Sequence, residues 1–103
     1  MSRRDDHDEL LSTLESTILR GPGESEATLR EKAARGELDG PLGEYVRLVQ
    51  KSAYRVSAEQ LAELRKTYSD DVLFELTVAA SFGEARRRHE LAMSALDSVW
   101  GAS

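Results

Sequence analysis

With 103 residues the chain has room for one small domain, and a balance of 40% hydrophobic to 32% charged residues is that of an ordinary soluble globule. Fourteen basic and nineteen acidic side chains leave a net charge of −5, which repels a phosphate backbone over the surface as a whole, so nucleic acid is not an expected partner. The absence of cysteine removes disulfides, thiolate nucleophiles and thiolate metal ligands together.

Helical periodicity runs through the chain and no segment alternates as a strand would, so the expected fold is all-α, a small bundle of about five helices. Leu10, Leu11, Leu14 and Ile18 recur at helical spacing behind an acidic N-terminus, and Gly21-Pro22-Gly23 ends this first helix within residues 1–23. The first twenty residues carry acids where a signal peptide needs an unbroken apolar core, and no run reaches the length of a membrane span. The expected location is cytoplasmic, without membrane association.

Ser25 is placed to cap a short second helix that carries Lys32 and Arg35 in its last turn and stops at Gly36. Its apolar surface, Ala27, Leu29, Ala33 and Ala34, is thin. Pro41 then suits the first turn of a third helix, where its missing N–H costs nothing. Leu42, Tyr45, Val46, Leu48, Val49 and Ala53 form the expected buried face of that helix. At Ser57 the signal for a helix start is complete: Ser57 caps, Gln60 closes a capping box, and Val56 can staple to Leu61. The same logic recurs at Ser69, with Asp70 and Asp71 in the positive first turn and Tyr68 facing Leu73.

Residues 70–100 read as one long helix. Phe74, Val78, Phe82, Ala85, Ala92, Leu96 and Val99 follow one stripe, interrupted only by the polar His89. Leu73, Leu76, Ala80 and Gly83 form a second apolar row, and Thr77, Ser81, Glu84 and Arg88 a narrow polar seam. Two apolar faces need two sets of neighbours, which places this helix at the core and at a subunit interface. Gly83 in a helix interior costs about 1 kcal/mol relative to alanine, so a close packing contact is expected there.

The order of elements from Pro41 onward, residues 41–100, resembles the C-terminal part of the carboxymuconolactone decarboxylase and AhpD-like alkylhydroperoxidase superfamily. Leu64, Arg65, Tyr68, Ser69, Asp70, Leu73, Glu75 and Leu76 fit a phrase often found there, L-R-x-x-G-[YF]-S-D-x-x-I-x-E-[LIV], once its glycine is dropped; Arg87 falls near a helix arginine of the family. The resemblance implies an all-helical fold and symmetric assembly into trimers, hexamers or similar; a mixed assembly with a related subunit is the alternative arrangement of partners. AhpD-like enzymes use a Cys-x-x-Cys pair, so thiol peroxidase chemistry is excluded by composition. The resemblance carries over no catalytic residue.

Candidate functional residues come from the residues themselves. His89, beside Arg86, Arg87 and Arg88, is a candidate proton-transfer group if partly buried, with Glu84 as a second. Tyr54 with Arg86 and Arg87 is the candidate ligand-binding set, because guanidinium forks grip carboxylates and phosphates. The bland alternatives are a packing histidine, intrahelical Glu84–Arg88 and Arg86–Glu90 pairs, and a core tyrosine. His7 in DDHDE reads as part of a solvated acidic tail, and neither histidine has a second at ligand spacing, so no metal and no cofactor is expected. The leading expectation is an oligomeric accessory or binding subunit; the alternative is a cofactor-free decarboxylase or lactonase working by proton transfer.

Overall fold

A computed structural model describes residues 3–100, with side chains for residues 9–100, so the His7 segment lies outside the side chains described. Among the described residues there are five α-helices and no strand: α1 (Arg3–Glu15), α2 (Ala27–Arg35), α3 (Gly40–Ser52), α4 (Ala58–Arg65) and α5 (Asp70–Trp100). A π turn (Ser16–Arg20) carries α1 to the break at Gly21, and a 3-10 turn (Ala53–Arg55) follows α3. The fold is the expected small all-α bundle.

Local chemistry accounts for the boundaries. Ser57 Oγ accepts the Gln60 N–H at 3.1 Å, and Ser69 Oγ accepts that of Val72 at 3.2 Å, so both capping serines act as their positions predict. At the end of α2, Gly36 takes a left-handed conformation (φ 69°), and the N–H groups of Gly36 and Glu37 return to the carbonyls of Ala33 and Lys32. This is a Schellman ending, for which glycine has no side-chain penalty. Ser25 departs from its predicted role. The helix starts at Ala27 behind Glu26, which makes no side-chain cap, and the Ser25 hydroxyl is spent on Glu75 of α5 instead.

The first half of α5 is the spine. Leu73, Leu76, Ala79 and Ala80 are buried along it, packed with Leu19, Ala33, Leu42, Tyr45, Val46 and Leu64 from the surrounding elements. Each fully buried leucine or valine contributes roughly 1.5–3 kcal/mol, and Leu76 and Val46 are the largest wholly enclosed side chains. The most extensive packing on α5 comes from α2, despite its thin apolar surface. Small residues explain it: a Cβ on Gly83 would collide with the backbone of Ala34, so the expected close contact at that glycine is the α2–α5 crossing itself.

The two apolar faces of α5 have unequal fates. The row Leu73, Leu76, Ala80 and Gly83 faces the bundle, whereas the stripe through Phe74, Val78, Phe82, Ala85, Ala92, Leu96 and Val99 is mixed: Phe74 is 69% and Val99 72% exposed, while Val78 and Phe82 are half-buried beside the π turn and the end of α1. The polar seam is split: Ser81 and Arg88 face solvent, while Thr77 and Glu84 turn inward. Thr77 hydrogen-bonds the buried Tyr45 hydroxyl, and Glu84 is buried. On α3, Leu42, Tyr45 and Val46 are buried as expected, Leu48 and Val49 are half-buried, and Ala53 falls outside in the 3-10 turn. No helix among the described residues is long and apolar enough to cross a membrane.

Candidate functional site

Glu84 sits on the buried side of α5, one turn beyond Ala80, and meets three cations. Arg87 Nη2 donates to both carboxylate oxygens at 2.7 and 2.8 Å, Arg88 Nε donates to Oε1 at 3.1 Å, and Lys51 Nζ reaches across from α3 at 3.3 and 3.5 Å. The carboxylate side chain is only 9% exposed, while each of the three cations keeps more than half of its side-chain surface in solvent. One buried negative charge therefore organises three largely hydrated positive ones. Arg87 and Arg88 can share it because they stand three and four residues after it, on one face of the helix.

Beside this cluster the end of α2, the last turns of α3 and the middle of α5 enclose a cleft of about 410 Å³. Arg35, Arg47, Lys51, Arg86 and Arg87 line it together with Glu37, Glu84 and Glu90. Five of the chain's fourteen basic residues and only three of its nineteen acidic ones meet there, which makes the cleft locally positive on an acidic protein. Gln50 stiffens one wall: its Nε2 lies 3.0–3.2 Å from the carbonyls of Ala33, Ala34 and Ala80, tying α3 to the end of α2 and to α5. Arg47 is braced by the Leu38 carbonyl at 3.0 Å.

The expected site residues are only partly brought together. Glu84, Arg86 and Arg87 all line this cleft. Arg86 nevertheless turns away from Glu84. Its Nη1 lies 3.0 Å from Glu15, within ion-pair range though not aligned as a hydrogen bond, and its Nε lies 3.3 Å from Glu90. His89 is exposed on the outer face, and Tyr54 is 88% exposed in the 3-10 turn, lining neither this cleft nor the neighbouring ones described. Among the described residues, none of the four clefts brings Tyr54 and Arg87 together around His89. Among the described residues no group of histidines and carboxylates is arranged to hold a metal ion.

A second polar cluster forms around Glu75, a position for which the sequence predicts no role. Glu75 accepts the N–H of Glu24 at 2.8 Å and both the N–H and the hydroxyl of Ser25 at 3.0 and 2.7 Å. The Ser25 hydroxyl foremost, then its N–H, hold the Glu75 carboxyl below the usual carboxylate range; burial opposes them, while the Glu24 N–H and the charge of Arg30 assist. Arg30, buried, donates to the carbonyls of Ile18, Gly21 and Ser25. Between them Arg30 and Glu75 clasp the loop that joins α1 to α2. The available signal was a charged residue in a helix whose neighbours at i+3 and i+4, Ala33 and Ala34, are apolar. No family model, no curated protein and no solved structure matches the chain.

Proposed function

We propose that the protein is a helical assembly unit, a binding or accessory subunit that pairs with a second copy of itself through the outer face of α5. The observation that carries this reading is the spacing of that face. Val78, Phe82, Ala85, His89, Ala92, Leu96 and Val99 recur at alternating intervals of four and three, the repeat that keeps one seam of a helix against a partner helix over successive heptads. Phe82, His89 and Leu96 take one position of the repeat, and Val78, Ala85, Ala92 and Val99 the other. Large side chains thus alternate with small ones, as knobs require holes.

Exposure and charge support the same reading. Of the eight large hydrophobic side chains exposed among the described residues, all but Tyr54 belong to α1 or α5. On the seam itself Ala85, Ala92, Leu96 and Val99 are exposed while Val78 and Phe82 are half-buried, so the open part of the seam is the second half of α5. An exposed apolar stretch is the usual mark of a contact face. A second copy suits it because a heptad seam is self-complementary in spacing, and because no Asp, Glu, Lys or Arg lies on the seam to oppose two like-charged chains. His89 on this reading is a polar residue that sets register at some cost in affinity rather than a catalyst.

We also read the chain as a shortened, cysteine-free relative of the AhpD-like superfamily. The support is the helix order and the two serine-capped starts that carry the segment from Leu64 to Leu76, and the symmetric assembly such kinship implies agrees with the seam. A mixed assembly with a related subunit would use the same surface. The test is Ala92→Glu in the middle of the seam, followed by size-exclusion chromatography with light scattering. The native chain is expected to run as a dimer or larger species and the variant as a monomer of unchanged helix content; the same mass for both overturns the reading.

A further inference from the structure

We propose that the cleft between α3 and the arginines of α5 is a binding site for a small phosphate-bearing molecule, gripped by Arg47, Lys51 and Arg87. The cations there are held in place but not neutralised. Glu84, buried, anchors Lys51 and Arg87 through its two oxygens, yet it offers one negative charge to three positive partners, and its cations remain 53–68% exposed. Arg47 and Lys51 stand one turn apart on α3, so their side chains leave the same face of that helix. Arg47 is braced by a neutral carbonyl rather than by a carboxylate.

The dimensions and chemistry select the ligand class. A volume of about 410 Å³ lies within the usual range for small-molecule sites, and exceeds what a single inorganic ion fills. Guanidinium forks and an ammonium converging on one cleft match an oxyanion with several acceptor oxygens and more than one negative charge, which phosphate esters and pyrophosphate supply. The cleft lies apart from the seam proposed for assembly. Arg87 falls two heptad positions beyond Ala85, on the side of α5 away from the seam, so cleft and seam can be disabled separately.

The test is calorimetric titration of the full chain with sodium pyrophosphate at low and constant ionic strength, beside the single variants Arg47→Gln and Lys51→Gln. Saturable binding is expected at one site per chain, weakened about tenfold by each substitution because each removes one charge-assisted contact. Arg65→Gln, which removes an exposed partner of Asp70 outside the cleft, is expected to bind as the native chain does. Thermal melting gives a second readout: pyrophosphate should raise the midpoint of the native chain but not that of the Arg47→Gln, Lys51→Gln double variant. Absence of saturable binding, or equal affinity in the cleft variants and the Arg65 control, overturns the proposal. So does a preference for a glutamate-rich peptide with no response to pyrophosphate, which would mark the cleft as a protein contact.

Discussion

Ser25 gives both its hydroxyl and its backbone N–H to a single oxygen of Glu75, fifty residues along the chain, at 2.7 and 3.0 Å. That pairing closes the α1–α2 loop onto α5 and favours the ionised form of Glu75. A carboxyl whose folded pKa lies below its unfolded value stabilises the fold above the unfolded value, about 4.3. That contribution is lost as the pH falls from there through the folded value. Glu75→Gln is expected to cost about 1–2 kcal/mol at pH 7, and the gap between variant and native melting midpoints should close below about pH 4. A gap that stays constant from pH 7 to pH 3 would mean the charge of Glu75 is not what the loop recognises.

Gly83 separates helix propensity from packing. In an unconstrained helix, alanine in place of glycine gains about 1 kcal/mol. Here the added methyl meets the backbone of Ala34, which cannot swing aside as a side-chain tip can. Gly83→Ala is expected to destabilise by up to about 2 kcal/mol net, since overpacking costs about 1–3 kcal/mol against that gain. Urea denaturation gives the sign directly, and a stabilised variant would show that α2 and α5 are not in contact there.

Glu84 tests how far its ion cluster matters to stability. Removing the carboxylate frees cations that already stand more than half in solvent and can return to it. Glu84→Gln should therefore cost about 1 kcal/mol, well short of the 3–5 kcal/mol seen when a buried pair is broken and a buried charge left behind. A loss in the larger range, read by urea denaturation, would place Lys51 and Arg87 in a drier setting than their exposure describes.

His89 distinguishes the seam from a catalytic reading. As the polar member of an apolar repeat it weakens pairing, so His89→Leu is expected to tighten self-association by about tenfold or more while leaving the monomer fold intact. The change appears in the concentration at which the mass falls to one chain. Weaker association in the leucine variant would contradict the proposed role.

The sequence made the helix boundaries legible because their causes are local. Ser57, Ser69, Pro41 and Gly36 act within three or four residues of themselves, and each stands where its chemistry predicts. Ser25 broke the pattern because its hydroxyl found an acceptor on α5, which no local rule registers. The long helix was legible as two-faced. Which face turned inward was not, since Leu73 and Phe74 are equally apolar and the choice rests on the small residues of α2 that dock at Gly83. In the candidate site, the Glu84–Arg88 pair followed from spacing alone, while Lys51, Arg47 and Gln50 entered through tertiary contact. Tyr54 was misplaced for the converse reason: an aromatic at a helix junction is usually core, but this one stands outside the bundle.

Sedimentation equilibrium of the native chain, from about 1 to about 200 µM, bears most directly on the claim that α5 pairs with α5. The account predicts a reversible shift toward twice the chain mass or a higher multiple, abolished by Ala92→Glu. A single-chain mass across the whole range would contradict it.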